Sequence, residues 1–212
     1  DPCGRVNFGP RIVSNDWQSV GRMDYQLSDK QQLFGRYMVT TFYQPAAYDF
    51  NPNPLVAVQG GRDNLAQTLA IGHTYLVSPT TVNSFHAAWN RTGIHRFNAK
   101  YFDYSDVGIN AYSYVPKFML VTVNGGPVIG SGLEAEATNK TDTFQLGEDI
   151  SMVKGAHQLG FGTNLAAVQS NLYANVRSPG QFTFDGSVTG LGMADFIAGQ
   201  AGGPSAYLQS AP

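Results

Sequence analysis

The sequence predicts an all-β fold in which antiparallel up-and-down hairpins form a porin-like β-barrel with long loops at one end. Apolar and polar residues alternate with a period of two over long runs, as expected for strands with two different faces. Short turns join these runs in pairs, whereas long connections separate the pairs. At about 9–11 residues a strand plus loops, the chain has room for about eight strands.

The first hairpin is predicted from Gly21–Leu27 and Gln31–Tyr43, joined by a polar turn at residues 28–30. Alternate positions of its first strand are apolar and polar, and we call such a set of alternate positions one parity. The apolar set is Met23, Tyr25 and Leu27, and the polar set is Arg22, Asp24 and Gln26. This strand therefore has one apolar face and one face that carries charge.

The second hairpin is predicted from Asn64–Val77 and Thr81–Arg96, with a Ser78-Pro79-Thr80 turn. In its second strand Phe85, Ala87 and Trp89 share one parity, opposite to His86 and Asn90.

The third hairpin is predicted from Thr141–Met152 and residues 157–167 around a Lys154-Gly155-Ala156 turn. Glu148 shares the parity of Leu146 and Ile150, which counts against an entirely apolar face in this strand.

The connections between the hairpins are predicted to be long loops. They comprise Gln44–Asp63, rich in Pro, Gly and Asn, Phe97–Lys117, rich in Tyr and Asp, and the glycine-rich Asn124–Asn139. A short helical turn is predicted at residues 193–199. Loops of this length are unusual in a compact soluble domain, whereas short turns at one end and long loops at the other are typical of outer-membrane barrels.

Composition favours a membrane β-barrel and gives no support to a nucleic-acid-binding protein. Charged residues make up 13% of the chain, aromatic residues make up 12%, and there are 24 glycines. A net charge of -2 gives no basic field for nucleic acid. Cys3 is the single cysteine, so it is expected to be a bystander or to have a partner outside this chain. The sequence opens without a signal peptide, which predicts either a processed chain or a piece of a longer one.

Three segments carry a resemblance to a known family. They are GRMDYQLSDKQQLFGRY, the GHTYLVSPTTVNSFHAAWNRT hairpin, and DISMVKGAHQLGFGTNL followed by GQFTFDGSVTGLGMADFIAG. In this order they resemble the early barrel portion of TonB-dependent outer-membrane receptors, of the Oar-like type found in acidobacteria. The resemblance implies an outer-membrane location for the parent protein.

That family also has a plug, a TonB box and a wider barrel, which this chain lacks. The whole chain, 1–212, is therefore expected to be a single barrel-like domain derived from a larger receptor. The isolated piece is expected to be soluble.

Strand parity predicts which side chains share a face of the sheet. The polar face should collect Arg22, Asp24, Arg36, His86, Asn90, Asp149 and Asn164. The apolar face should collect Tyr25, Leu33, Phe85, Trp89, Phe161 and Leu165. If the apolar face is outward, the polar set lines the lumen of the barrel.

Two chemical hypotheses accompany this arrangement. In the first, His86 with Asp149 or Asp24 forms a base and its orienting group. In the second, oxygen-rich loops hold calcium. The calcium candidates are Asp49, Asn51 and Asn53 in one loop, and Asp103 and Asp106 in another.

The favoured function is a receptor-type or porin-type barrel with a transport-derived role. The alternative is a barrel-derived hydrolase of small amphiphilic esters or lactones, such as N-acyl-homoserine lactones, with possible assistance from calcium. The expected partners are a small amphiphilic ligand and the outer membrane or detergent. For closure, a small closed barrel with its loops folded inward is preferred to a homo-oligomer that pairs edge strands between chains.

Overall fold

The computed structural model describes residues 9, 11–131, 135–203 and 206–210; Cys3 and Gly132 lie outside them. In chain order the strands are β1 (Asn15–Ser28), β2 (Gln31–Gln44), β3 (Gly61–Ser78), β4 (Thr81–Phe97), β5 (Leu120–Val123), β6 (Val128–Ile129), β7 (Ala137–Lys154), β8 (His157–Ala174), β9 (Gln181–Phe184) and β10 (Tyr207–Leu208). Three 3₁₀ turns (Ala47–Asp49, Pro54–Val56 and Ser105–Val107) and one α-helix, α1 (Gly192–Ala198), complete the described elements.

Six long strands form an antiparallel sheet in the order β1-β2-β3-β4-β7-β8. Its strands are 14 to 18 residues long, well beyond the length of about 5–6 residues that is common in soluble proteins. The prediction of all-β antiparallel hairpins is therefore confirmed, with six long strands in the main sheet.

Two-residue turns close all three predicted hairpins, at residues 29–30, 79–80 and 155–156. The first two hairpins each carry one extra residue just before the turn, Leu27 and Val77, where the register shifts. The third hairpin instead uses Gly155 with a φ of 60°, a value that glycine adopts without steric cost. These turns set the pairing of the long strands.

The register places the two predicted residue sets on opposite faces. One row across the sheet runs Asp24, Phe34, Gly72, His86, Gly147 and Asn164. The next row runs Tyr25, Leu33, His73, Phe85, Glu148 and Thr163. Because directly paired residues project to the same side, the polar set lies on one face and the apolar set on the other, as predicted.

The main sheet is open. Within the described part of the chain, no strand pairs with the outer edge of β1 or β8. The prediction of a small closed barrel is therefore wrong. Four short strands outside the long hairpins form a second, smaller sheet instead.

This second sheet has the order β10-β9-β5-β6 and pairs β5 with β9 in parallel. The predicted loops Phe97–Lys117 and Asn124–Asn139 contribute to this packed unit. We call the described residues 98–131, 135–136, 175–203 and 206–210 the loop unit. Its core consists of Tyr104, Met119, Val121, Val123 and Phe184. The loop unit follows the ends of the long strands that are opposite to the two-residue turns.

Two tyrosines, the buried Tyr104 and the half-buried Tyr101, join the segments of the loop unit. The Tyr104 hydroxyl donates to the Gly180 carbonyl at 2.6 Å and accepts from the Leu120 amide at 3.2 Å, so it links β5 to the residue before β9. The Tyr101 hydroxyl lies 2.6 Å from the Met119 carbonyl. Burial raises the pKa of Tyr104 to about 12, so this hydroxyl keeps its proton under ordinary conditions.

Asp195 organises the turn before α1. Its fully buried carboxylate accepts from the Gly186 amide at 3.0 Å and from the amide and hydroxyl of Thr189 at 2.8 and 2.5 Å. The Thr189 hydroxyl is the main group that lowers the pKa of Asp195. The predicted helical turn at 193–199 is confirmed as α1, and no described helix is long and apolar enough to cross a membrane.

Gly192 tests the packing of the loop unit. A Cβ at this position would lie 2.6 Å from the carbonyl oxygens of both Asn124 and Phe184, which are backbone atoms with little freedom to move. We expect Gly192→Ala to destabilise the loop unit by about 2 kcal/mol or more, although helix propensity alone favours alanine. Hydrogen exchange of the β5 and β9 amides measures this loss.

The matched control is Gly199→Ala at the C-terminal end of α1. Gly199 has a φ of 66° and open space around its Cα, so alanine there costs only backbone strain of about 1 kcal/mol. Equal protection of the amides in the two variants contradicts the packing described for Gly192.

Candidate functional site

The polar face of the main sheet contains a hollow of about 590 Å³. Its lining includes His86, Gln145, Asp149 and Asn164, together with small residues. The hollow exists because glycines replace side chains in this part of the wall: Gly147 faces His86 across the β4–β7 pair, and Gly162 faces Asp149 across the β7–β8 pair. A Cβ at Gly162 would overlap the Asp149 carboxylate.

His86 and Asp149, two of the predicted catalytic residues, line the same hollow. Asp149 is paired with Ser84 and is a diagonal neighbour of His86, but no hydrogen bond joins the two side chains among the described residues. The ring of His86 instead contacts Phe34 at a centroid distance of 6.4 Å. The Phe34 ring lies over Gly72, where a Cβ would overlap it. His86 is thus held by an aromatic contact and has no carboxylate to orient it.

Asp24, the third predicted catalytic residue, is not brought to this hollow. It lies in the same row as His86 but three strands away, roughly 14 Å at the usual strand spacing. Its two oxygens accept from Nε and Nη2 of Arg22 at 2.8 and 2.7 Å. The Arg22 guanidinium also stacks 4.6 Å from the centre of the Phe34 ring. Asp24 therefore belongs to a structural ion pair on the polar face.

The carboxylates of Asp103 and Asp106 are occupied by donors from the protein itself. Asp103 accepts from the Ser105 hydroxyl at 2.6 Å and from the Lys117 amide at 3.2 Å. The Ser105 hydroxyl is the largest of the influences that lower the pKa of Asp103 to about 2. Asp106 holds the Lys117 ammonium at 2.5 Å. A lysine charge in this position competes with a calcium ion, so these residues do not fit a calcium site.

The other calcium candidates shape a turn. The Asn53 side chain accepts from the Leu55 amide at 3.0 Å and begins a 3₁₀ turn, and Asp49 ends the preceding one. The Asn51 carbonyl accepts from the Asn53 amide at 2.7 Å. In the described residues, no group of three or more His, Cys, Asp or Glu side chains is placed to hold a metal ion.

The apolar face of the sheet is exposed along its whole width. Met23, Phe161 and Leu165 are 75%, 62% and 65% exposed, and no other part of the described chain covers them. A surface this apolar is not tolerated in water by an isolated monomer but is expected for a wall that contacts lipid. In β8 the apolar stretch runs from Leu159 to Ala167, which matches the roughly 9–11 residues of a tilted crossing.

A three-residue cluster marks the loop side of this apolar band. The Trp89 indole donates to Asp142 at 2.9 Å, and Arg91 makes two bonds of 2.8 and 3.0 Å to the same carboxylate. Beyond this cluster the outward side chains of β3, β4 and β7 include the polar Asp63, His95 and Lys140, with Leu65 and Phe97 as apolar exceptions. Sequence reasoning missed this border, although the parity that Arg91 shares with Trp89 was a signal for it.

Glu148, the exception on the apolar face, has a polar partner. The Asn83 side-chain amide of the neighbouring strand donates to the Glu148 carboxylate. The two residues are diagonal neighbours on β4 and β7. An interstrand hydrogen bond thus reduces the cost of placing this carboxylate on the lipid side.

Comparison with known proteins gives one match. A family model described as an outer membrane beta barrel domain matches residues 4–211. Searches among curated proteins and among solved structures found no match.

Proposed function

The chain belongs to the outer-membrane β-barrel domain family, and from this premise we propose that its main sheet is a section of a barrel wall with a transport-derived, receptor-type or porin-type role. The single observation that carries the proposal is the separation of the two faces by the register. Apolar side chains face outward, whereas Arg22, Asp24, His86 and Asp149 face inward.

The open edges support a barrel wider than six strands. In lipid, the unpaired N–H and C=O groups along β1 and β8 have no water to satisfy them, so each edge needs a further strand. We propose that additional strands of a larger barrel complete the wall, which agrees with the resemblance to TonB-dependent receptors. Pairing with a second copy of the chain is the alternative arrangement.

The inner hollow favours a solute that forms hydrogen bonds. His86, Gln145, Asp149 and Asn164 offer donors and acceptors along one wall, and the glycines between them leave space beside the sheet. A polar lumen wall of this kind contacts water and passing polar solutes. The polar part of a small amphiphilic ligand is compatible with the same surface.

A second candidate function is hydrolysis of a small ester or lactone. The observation in its favour is that an imidazole and a carboxylate, His86 and Asp149, share one hollow. In this scheme His86 takes a proton from water as the water attacks the carbonyl carbon. The ring C–O bond then breaks, and the alkoxide that leaves receives the proton back from His86. Asp24 does not take part, because Arg22 holds both of its oxygens, and the carboxylates of Asp103 and Asp106 are bonded to Ser105 and Lys117.

Two adjacent alanines test the assignment of the faces. Ala87 projects outward from β4, whereas Ala88 projects inward and lines the hollow. In a Cys3→Ser background reconstituted in liposomes, we expect Ala88→Cys to react with a charged, membrane-impermeant thiol reagent at least about 10-fold faster than Ala87→Cys. The physical reason is that a charged reagent does not enter the hydrocarbon region.

A lipid-soluble maleimide serves as the control, because it should label Ala87→Cys and so show that this thiol is intact. Equal labelling of the two positions by the charged reagent, or faster labelling at position 87, contradicts the proposed wall.

The hydrolase candidate predicts turnover of an N-acyl-homoserine lactone that depends on His86. His86→Ala should lower the rate by about 10²-fold or more, the usual contribution of a general base. His95→Ala is the matched control, because His95 lies on the outward face near the loop end of the same strand. Absence of turnover in the unmodified protein, or equal losses in the two variants, rejects this candidate.

A further inference from the structure

The loop unit contains a second cavity, separate from the inner hollow. It has a volume of about 420 Å³, within the usual range of small-molecule sites. Its lining residues are Phe102, Val107, Ile109, Met119, Val121, Ile129, Phe182, Phe184, Phe196, Gly199 and Ala201. Every one of these residues is apolar, and four are phenylalanines. We call this cavity the phenylalanine pocket.

Hydrogen bonds hold the walls of the phenylalanine pocket in place. Met119 is anchored through the Tyr101 hydroxyl, and the bonds of Tyr104 fix β5 next to the start of β9. Asp195 fixes the turn that leads into α1, the helix that carries Phe196. These bonds tie together the segments that carry the apolar lining, so the cavity is built into the loop unit.

The rim of the pocket exposes apolar surface. Val107, Ile109 and Phe196 are 50%, 38% and 37% exposed, and they lie beside the buried core of the unit. Covering such a surface contributes roughly 25 cal/mol per Å² of apolar area removed from water. A ligand that fills the pocket would cover both the rim and the lining.

From these observations we propose that the phenylalanine pocket binds an uncharged, largely hydrocarbon small molecule on the loop side of the wall. The lining offers no charged side chain and no side-chain hydrogen-bond partner, so a charged group placed among the phenylalanine rings would lose its hydration without compensation. A volume of about 420 Å³ suits a small molecule rather than a protein segment. The proposal does not depend on transport through the inner hollow.

Fluorobenzene is a suitable probe, observed by ¹⁹F NMR with the full chain in nanodiscs. Empty nanodiscs provide the correction for partition into lipid. We expect saturable line broadening above that background. Fluorobenzoate, which has a similar ring but a carboxylate, should bind at least about 10-fold more weakly because its charge must be desolvated.

Two variants fill the site and one serves as a matched control. Ala201→Trp, from the lining, and Ile109→Trp, from the rim, should each weaken fluorobenzene binding at least about 10-fold. Ile197→Trp adds the same bulk on the exposed side of α1, where Ile197 is 80% exposed, and should leave binding unchanged. Circular dichroism and thermal unfolding show whether each variant keeps its fold. If Ala201→Trp does not fold, Ile109→Trp provides the test.

Several results overturn the proposal. These are absence of saturable broadening above empty nanodiscs, equal binding of fluorobenzoate, and equal losses in the filling variants and Ile197→Trp. The thiol labelling of β4 is independent of this experiment. The ligand-binding proposal and the barrel-wall proposal are therefore tested separately.

Discussion

The common register of the six long strands is the constraint on which the rest of the structure depends. The three two-residue turns fix it within each hairpin, and a slip of one residue in any strand would carry that strand's outward apolar side chains to the polar face. No layer of the described chain covers either face of the sheet. The sheet is therefore stable only where its surroundings differ on the two sides, as they do between lipid and a water-filled lumen.

The loop unit follows a different physical rule. It has a buried core of its own around Tyr104, Val121 and Phe184, and Asp195 and Tyr104 make hydrogen bonds that hold its segments together. It therefore resembles a small soluble domain attached to the loop ends of the wall. One chain thus combines a sheet with an exposed apolar face and a packed unit that contains an apolar cavity.

Local alternation predicted the wall well, because parity depends only on neighbouring residues. Asp24, Arg36, His86 and Asp149 were placed on one face from the sequence and lie together there. The pairing of β5 with β9 could not be predicted in this way, since it joins segments about 60 residues apart through short strands with no clear alternation. Closure was also mispredicted, because parity does not specify how many strands complete a barrel. The distance between Asp24 and His86 depends on strand order, which parity alone does not give.

The central claim, that the apolar face of the main sheet contacts lipid, is tested most directly with the fluorescence of Trp89. In a Trp17→Phe background Trp89 is the only remaining tryptophan, and it lies on the outward face at the loop-side border of the apolar band. In liposomes we expect lipids brominated on their acyl chains to quench its emission strongly, most of all with bromines near the headgroup, and aqueous iodide to quench it weakly. Strong quenching by iodide with no effect of brominated lipids would show that this face contacts water and would contradict the claim.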